Sequence, residues 1–156
     1  MFTTIIWATD GSEAADAALP YAKGLAEGHG CKLVVVHSRE LLHGRAAGYP
    51  MYADEEDLEA KIRRQTEKLR SEGLDVTLRI ETVDAPGAAK TIADVTRSFR
   101  GDVIVVGTRG HTAIGSLLLG SVTQRLLYIA PCPVLAVPAL RSGAEEQERE
   151  LTEVTS

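Results

Sequence analysis

Aromatic residues are scarce in this chain. They make up 4% of its 156 residues, so a hydrophobic core must be built from valine, isoleucine, leucine and alanine. Apolar runs are short, and none approaches the roughly 20 residues of a membrane-spanning helix, so we expect no membrane partner. The chain also starts without the basic segment that opens a signal peptide. These absences together predict a cytoplasmic protein.

Cysteine is scarce, and positive charge is outnumbered by negative charge. Cys31 and Cys132 belong to no CxxC pair or metal-ligand spacing, so we expect two reduced thiols and no metal site built by the protein alone. The net charge of −5 argues against a general nucleic-acid binder, because 22 acidic residues outnumber the 17 lysines and arginines that could neutralise phosphates. Much of the negative charge lies in residues 141–156, which we predict to be a disordered acidic tail.

Two kinds of hydrophobic segment alternate along the rest of the chain. Short apolar runs predict strands, and apolar residues at helical spacing predict helices between them. The predicted strands are 3–9, 32–37, 75–83, 103–106 and 134–137. The predicted helices are 12–27, 54–73, 85–99 and 121–129, and residues 38–53 are predicted to be a loop.

This alternation predicts a parallel sheet with helices on both faces. We therefore expect one α/β domain over residues 1–140. Its sheet is predicted to be open, doubly wound and Rossmann-like, with five parallel strands in the order 3-2-1-4-5. Strands 1 and 4 are the most apolar and belong at the centre, and strand 3 belongs at an edge. Ligands of such sheets bind where the winding reverses, here between Asp10 and Gly107.

A glycine-punctuated segment follows the fourth strand, and its chemistry suits a phosphate. Gly107, Gly110 and Gly120 let backbone N–H groups approach a ligand that a Cβ would keep away. Residues 121–123 form the first turn of a helix, where unpaired N–H groups and the positive end of the helix dipole favour an anion. The segment has no Gly-Lys-Ser/Thr sequence, so it is not a Walker A loop.

The spacing G-x2-G-x9-G-S resembles the ATP-binding signature of the universal stress protein family, and Asp10-Gly11-Ser12 and Pro131-Cys132-Pro133 are similar to that family as well. The resemblance covers about residues 2–138. It implies that the chain binds ATP, with a divalent cation, Mg or Mn, carried by the nucleotide phosphates. It also implies a homodimer formed through the last strand, Val134–Val137.

The resemblance further assigns roles to candidate ligand-binding residues. Asp10 would contact the ribose, and backbone groups of His37 and Ser38 would hold the adenine. Arg109 is added because a guanidinium can contact the γ-phosphate, and Ser121 and Thr123 are added because their hydroxyls can reach phosphate oxygens. The full candidate set is Asp10, His37, Ser38, Val106, Gly107, Arg109, Gly110, Gly120, Ser121, Val122 and Thr123. Asp10 could instead cap the first helix, Arg109 could be a solvated loop residue, and Arg125 is expected on the surface.

Three functions are open on the sequence alone. The leading one is an ATP-binding regulatory protein of the stress response. The second is a weak ATPase or phosphotransfer enzyme; catalysis would need a water-orienting base and a cation at the leaving phosphate, and no organised set of such residues is present. We therefore expect slow hydrolysis at most. The third is a dimeric interaction scaffold that needs no nucleotide.

Overall fold

The computed structural model describes residues 1–42, 49–50, 52–109 and 119–139. Within these residues the strands are β1 (Thr4–Ala8), β2 (Lys32–Leu42), β3 (Tyr49–Pro50), β4 (Val76–Asp84), β5 (Val103–Gly107) and β6 (Val134–Val137). The helices are α1 (Glu13–Asp16), α2 (Leu19–His29), α3 (Glu55–Ser71), α4 (Ala88–Ser98) and α5 (Ser121–Ile129). The predicted acidic tail lies outside the described residues.

The main strands form one parallel sheet in the spatial order β4-β2-β1-β5-β6. This is the predicted order, with β4 as the third of the five predicted strands, so the predicted fold is confirmed. Ile6 of β1 lies between Val34 of β2 and Ile104 of β5. The two-residue β3 is an addition that the sequence did not predict, and it pairs antiparallel with the end of β2.

The core forms two layers because side chains alternate across the sheet. Ile5 and Trp7 of β1 point into a cluster that contains the alanines of α2 and Ile62 of α3. Ile6 and Ala8 point the opposite way, into a cluster with residues of α4 and α5. All five residues of β1 and of β5 are buried, as expected for central strands. No helix in the described ranges is long and apolar enough to span a membrane.

Two parts of the prediction differ most from the structure, while the predicted helix 85–99 begins three residues later, at Ala88. The prediction that residues 38–53 are a loop is wrong at its start, since β2 continues to Leu42 and pairs with β4 as far as Asp84. Arg39 and Glu40 interrupt the apolar pattern expected of a strand. They are accommodated because one face of this stretch contacts polar groups of α3 and the other contacts amides at the start of α4. The predicted first helix is split into α1 and α2, and Pro20 in the first turn of α2 explains the break, since it has no N–H to continue the hydrogen-bond ladder.

Candidate functional site

A cavity of about 560 Å³ lies beyond the carboxyl ends of β1, β2 and β5. β1 and β5 are adjacent, and the chain leaves them toward opposite faces of the sheet, into α1 and α2 from β1 and into α5 from β5. The cavity therefore occupies the point where the winding of the sheet reverses, the usual ligand position in this architecture. Its volume is in the range of small-molecule sites, roughly 300–1,000 Å³.

The structure brings the candidate residues together around this cavity, although they come from four separate parts of the chain. Gly110 lies outside the described residues. The other candidates all line the cavity: Asp10, His37, Ser38, Val106, Gly107, Arg109, Gly120, Ser121, Val122 and Thr123.

Asp10 shapes the turn that leads from β1 into α1. Its Oδ1 accepts hydrogen bonds from the Ser12 amide at 3.0 Å and from the Ser12 hydroxyl at 2.6 Å. Ser12 is itself the N-cap of α1, since its Oγ accepts from the Ala15 amide at 3.1 Å. Gly11 between them has φ 79°, a left-handed conformation that favours glycine. Asp10 thus holds the cap residue in place rather than capping the helix itself.

His37 and Ser38 lie on opposite faces of β2. The imidazole of His37 is buried on the α3 side, where Nδ1 donates to the Thr9 carbonyl at 3.0 Å and Nε2 bonds to Glu55 Oε1. Both ring nitrogens are therefore used by the protein, and the imidazole has no atom left for a ligand. Ser38 lies on the cavity side, and its buried hydroxyl has no hydrogen-bond partner within the described ranges.

His37 also belongs to a buried group that has the composition of a metal site. Ligand atoms of His37, Glu55 and Glu59 lie within 4.8 Å of one another. However, Glu55 is bonded to His37, and Glu59 forms an ion pair with Arg39. Each carboxylate thus has a cation or donor partner from the protein, and the arrangement is that of a buried polar network between β2 and α3.

Thr123 and Gly107 connect the start of α5 to the end of β5. The Thr123 side chain is buried, and its hydroxyl donates to the Gly107 carbonyl at 2.7 Å. Because this bond uses the only hydroxyl proton, Thr123 positions the helix and has no proton to offer a phosphate. A Cβ on Gly107 would lie 3.0 Å from the Ala14 carbonyl oxygen, so the glycine permits close packing of α1 against β5.

The first turn of α5 presents unpaired backbone donors. Gly120 is the N-cap and has no side chain to accept a hydrogen bond, while its own amide donates to the Thr108 carbonyl at 2.7 Å. Across the described part of the chain, no group accepts a hydrogen bond from the amides of residues 121–123. These residues line the cavity, so the positive end of α5 and its unpaired amides face the cavity.

Sequence reasoning missed one whole wall of the cavity, which is formed by the start of α4 and the outer turns of α5. The α4 wall is small and apolar, and the α5 side adds polar groups and an aromatic ring. These residues are Ala85, Pro86, Ala88, Ala89, Ile92, Gln124, Arg125 and Tyr128. Their helical spacing was visible in the sequence, but nothing in it showed which face of each helix meets the sheet edge.

Glu40 is a further residue that the sequence did not single out. Its Oε1 accepts from the amides of Gly87 at 2.7 Å and Ala88 at 3.0 Å, the first donors of α4. Gly87 is the N-cap of α4 and has no side chain, so a carboxylate from β2 supplies the missing acceptor. This contact fixes the α4 wall against the end of β2.

The sequence model of the universal stress protein family matches residues 1–138. This chain belongs to the universal stress protein family. It is 41% identical over 140 residues to the protein of Thermus aquaticus described as "Universal stress protein in QAH/OAS sulfhydrylase 3'region", across 88% of this chain and 99% of that protein. The family was therefore identified correctly from the glycine spacing and its flanking segments.

Solved universal stress protein structures share the fold. One, described as a universal stress protein in complex with cAMP, has a TM-score of 0.65 and 23% identity, over 89% of this chain and 98% of that chain. Another, from Archaeoglobus fulgidus in complex with dAMP, has a TM-score of 0.63 and 20% identity, over 88% and 98%. At these identities the likeness shows the fold of this universal stress protein.

Proposed function

We propose that this protein binds adenine nucleotides, ATP foremost, and acts as a nucleotide-dependent regulatory protein of the stress response. The observation that carries the proposal is the set of unpaired amides at residues 121–123, which open onto a cavity at the reversal point of the sheet. An anion bound there gains charge-assisted hydrogen bonds and the favourable field of the α5 dipole.

The other side of the cavity suits a purine. Val106 and the small residues at the start of α4 form an apolar wall, and the backbone at His37 and Ser38 borders it. A flat ring can pack on such a wall while its polar edge bonds to backbone groups of a strand end. The cAMP and dAMP complexes of the two solved universal stress proteins support an adenine nucleotide as the ligand class. The G-x2-G-x9-G-S spacing favours ATP within that class.

A divalent cation, Mg or Mn, would accompany ATP. Asp10 is the carboxylate that borders the cavity at the end of β1, and one oxygen of it is held by Ser12. One carboxylate, oriented by its hydrogen bonds from Ser12, fits a cation that the phosphates mainly coordinate, since Mg²⁺ in nucleotide sites is bound by few protein ligands. Slow hydrolysis at most is expected, because the other cavity carboxylate, Glu40, is engaged by the α4 amides.

Nucleotide binding is tested with purified protein stripped of bound ligand. Isothermal titration with Mg-ATP, and thermal unfolding with and without it, should show a single site and a stabilised fold. Gly120→Val should abolish the binding, because a β-branched side chain at the N-cap would occupy the space in front of the amides. Gly28→Ala is the matched control, since a Cβ there meets nothing within 4 Å. Absence of any heat and of any thermal shift in the unmodified protein would contradict the proposal.

A dimeric scaffold is the second candidate, and the exposed surface near β6 favours it. β6 pairs with β5 alone within the described residues. Leu127 and Tyr128 are exposed, and Leu135 of β6 is 38% exposed. We propose a homodimer through Val134–Val137, which would cover this strand edge. Sedimentation of Leu135→Arg, with Tyr21→Arg as a control at an exposed apolar position on α2, should give a monomer only for Leu135→Arg.

A further inference from the structure

One face of α5 runs along the cavity beyond its first turn. Ser121, Arg125 and Tyr128 follow one another at spacings of four and three residues, which places them on the same side of the helix, and all three line the cavity. Side chains on a helix lean toward its N-terminus. We therefore expect the Arg125 side chain to extend back toward the turn that carries the unpaired amides.

Among the residues that the structure describes, Arg125 has no partner that would hold its side chain away from the cavity. It is exposed, and it forms no ion pair or hydrogen bond with any described residue. The carboxylates of the cavity are engaged by other groups, Asp10 by Ser12 and Glu40 by the amides of α4. Arg125 is thus a positive charge at the rim of an anion site with no carboxylate of its own.

We propose that Arg125 binds phosphate charge beyond the first phosphate, so that the cavity prefers nucleoside di- and triphosphates to monophosphates. The inference rests on the proposed nucleotide site. The amides of α5 can bind one phosphate of any such ligand, whereas additional phosphates extend past the helix end, where Arg125 adds a protein cation to the divalent metal that ATP carries. A planar guanidinium with several donors binds phosphate oxygens in pairs, which an ammonium cannot do.

The test compares dissociation constants for ATP, ADP and AMP by titration calorimetry at one fixed salt concentration. We expect Arg125→Gln to weaken ATP about tenfold and to leave AMP within about twofold, since a lost charge-assisted contact is worth about that factor. Arg125→Lys should recover part of the ATP affinity. Arg64→Gln, which removes an exposed arginine from α3, is the matched control and should change neither constant.

The possible results separate this inference from the proposed function. Equal weakening of ATP and AMP by Arg125→Gln would overturn the inference, because the residue would then act on the first phosphate or on the net field. Unchanged ATP affinity would overturn it as well. If the unmodified protein binds none of the three nucleotides, the proposed function itself fails and the inference with it.

Discussion

His37 on β2 and Glu55 on α3 form a hydrogen bond between Nε2 and Oε1, and each side chain is only 3% exposed. Arg39, two residues further along β2, pairs with Glu59, which lies one helical turn further along α3. The alternate residues of β2 face the other way, with Ser38 in the cavity wall and Glu40 at the start of α4. The extended end of β2 therefore lies between two helices and connects the cavity to both.

Removal of Glu55 tests the buried pair directly. Glu55→Ala leaves Nε2 of the buried His37 imidazole without its hydrogen-bond partner, which typically costs about 1–3 kcal/mol of unfolding free energy. Glu56→Ala, at the adjacent exposed position of α3, should stay within about 0.5 kcal/mol of the unmodified protein. Urea unfolding of both variants measures the difference. Equal stabilities would mean that the pair does not form in solution.

The hydroxyl of Thr123 provides a second test. Thr123→Val keeps the shape of the side chain but removes the 2.7 Å hydrogen bond to Gly107, so a buried carbonyl loses a partner. We expect a loss of about 1–3 kcal/mol of stability and weaker nucleotide binding, since α5 is no longer fixed to β5. Thr123→Ser retains the hydroxyl and should retain nucleotide affinity. A valine variant as stable as the serine variant would refute the structural role.

Glu40 is expected to order the start of α4. Glu40→Ala removes the acceptor of the Gly87 and Ala88 amides, at a cost of about 1–2 kcal/mol. Amide hydrogen exchange should become faster at these two positions and stay unchanged in β1. The control is Glu81→Ala, which removes a surface carboxylate of β4 that pairs with Arg79. Unchanged protection at Gly87 and Ala88 would exclude a capping role for Glu40.

Asp102 should make the stability depend on acid pH. Hydrogen bonds from the Thr3 amide above all, and from the Thr4 amide and the Thr3 hydroxyl, lower the pKa of the Asp102 carboxyl from its usual value. A carboxyl with a lowered folded-state pKa contributes stability above the unfolded pKa of about 3.9, and this contribution disappears as pH falls through the folded pKa.

Asp102→Asn should therefore be less stable than the unmodified protein at pH 7, by about 1–2 kcal/mol, and the difference should shrink below about pH 4. Thermal unfolding between pH 2.5 and 7 measures this dependence. Asp75→Asn, at an exposed position before β4, serves as the control and should stay within about 0.5 kcal/mol of the unmodified protein at pH 7. A constant difference between Asp102→Asn and the unmodified protein across this range would contradict the prediction.

Several parts of this structure could be predicted because their signals are local. The burial of β1 and β5 follows from continuous apolar runs, and the α5 turn follows from a glycine placed before Ser121. The extension of β2 could not be predicted, because the polar partners of Arg39 and Glu40 come from α3 and α4, which are distant in sequence. Thr123 was predicted as a phosphate donor, and the structure gives its proton to Gly107 instead.

The sequence by itself determined the order of the five parallel strands, the family and four of the segments that meet at the cavity, since hydrophobic periodicity and glycine spacing act over a few residues. The tertiary structure alone decided which side chains face the cavity and which face away from it. His37 turns its imidazole toward Glu55 and leaves only its backbone to a ligand, while Arg125 faces the cavity rim. These orientations depend on the helix that packs against each face of the sheet, and local sequence does not contain that information.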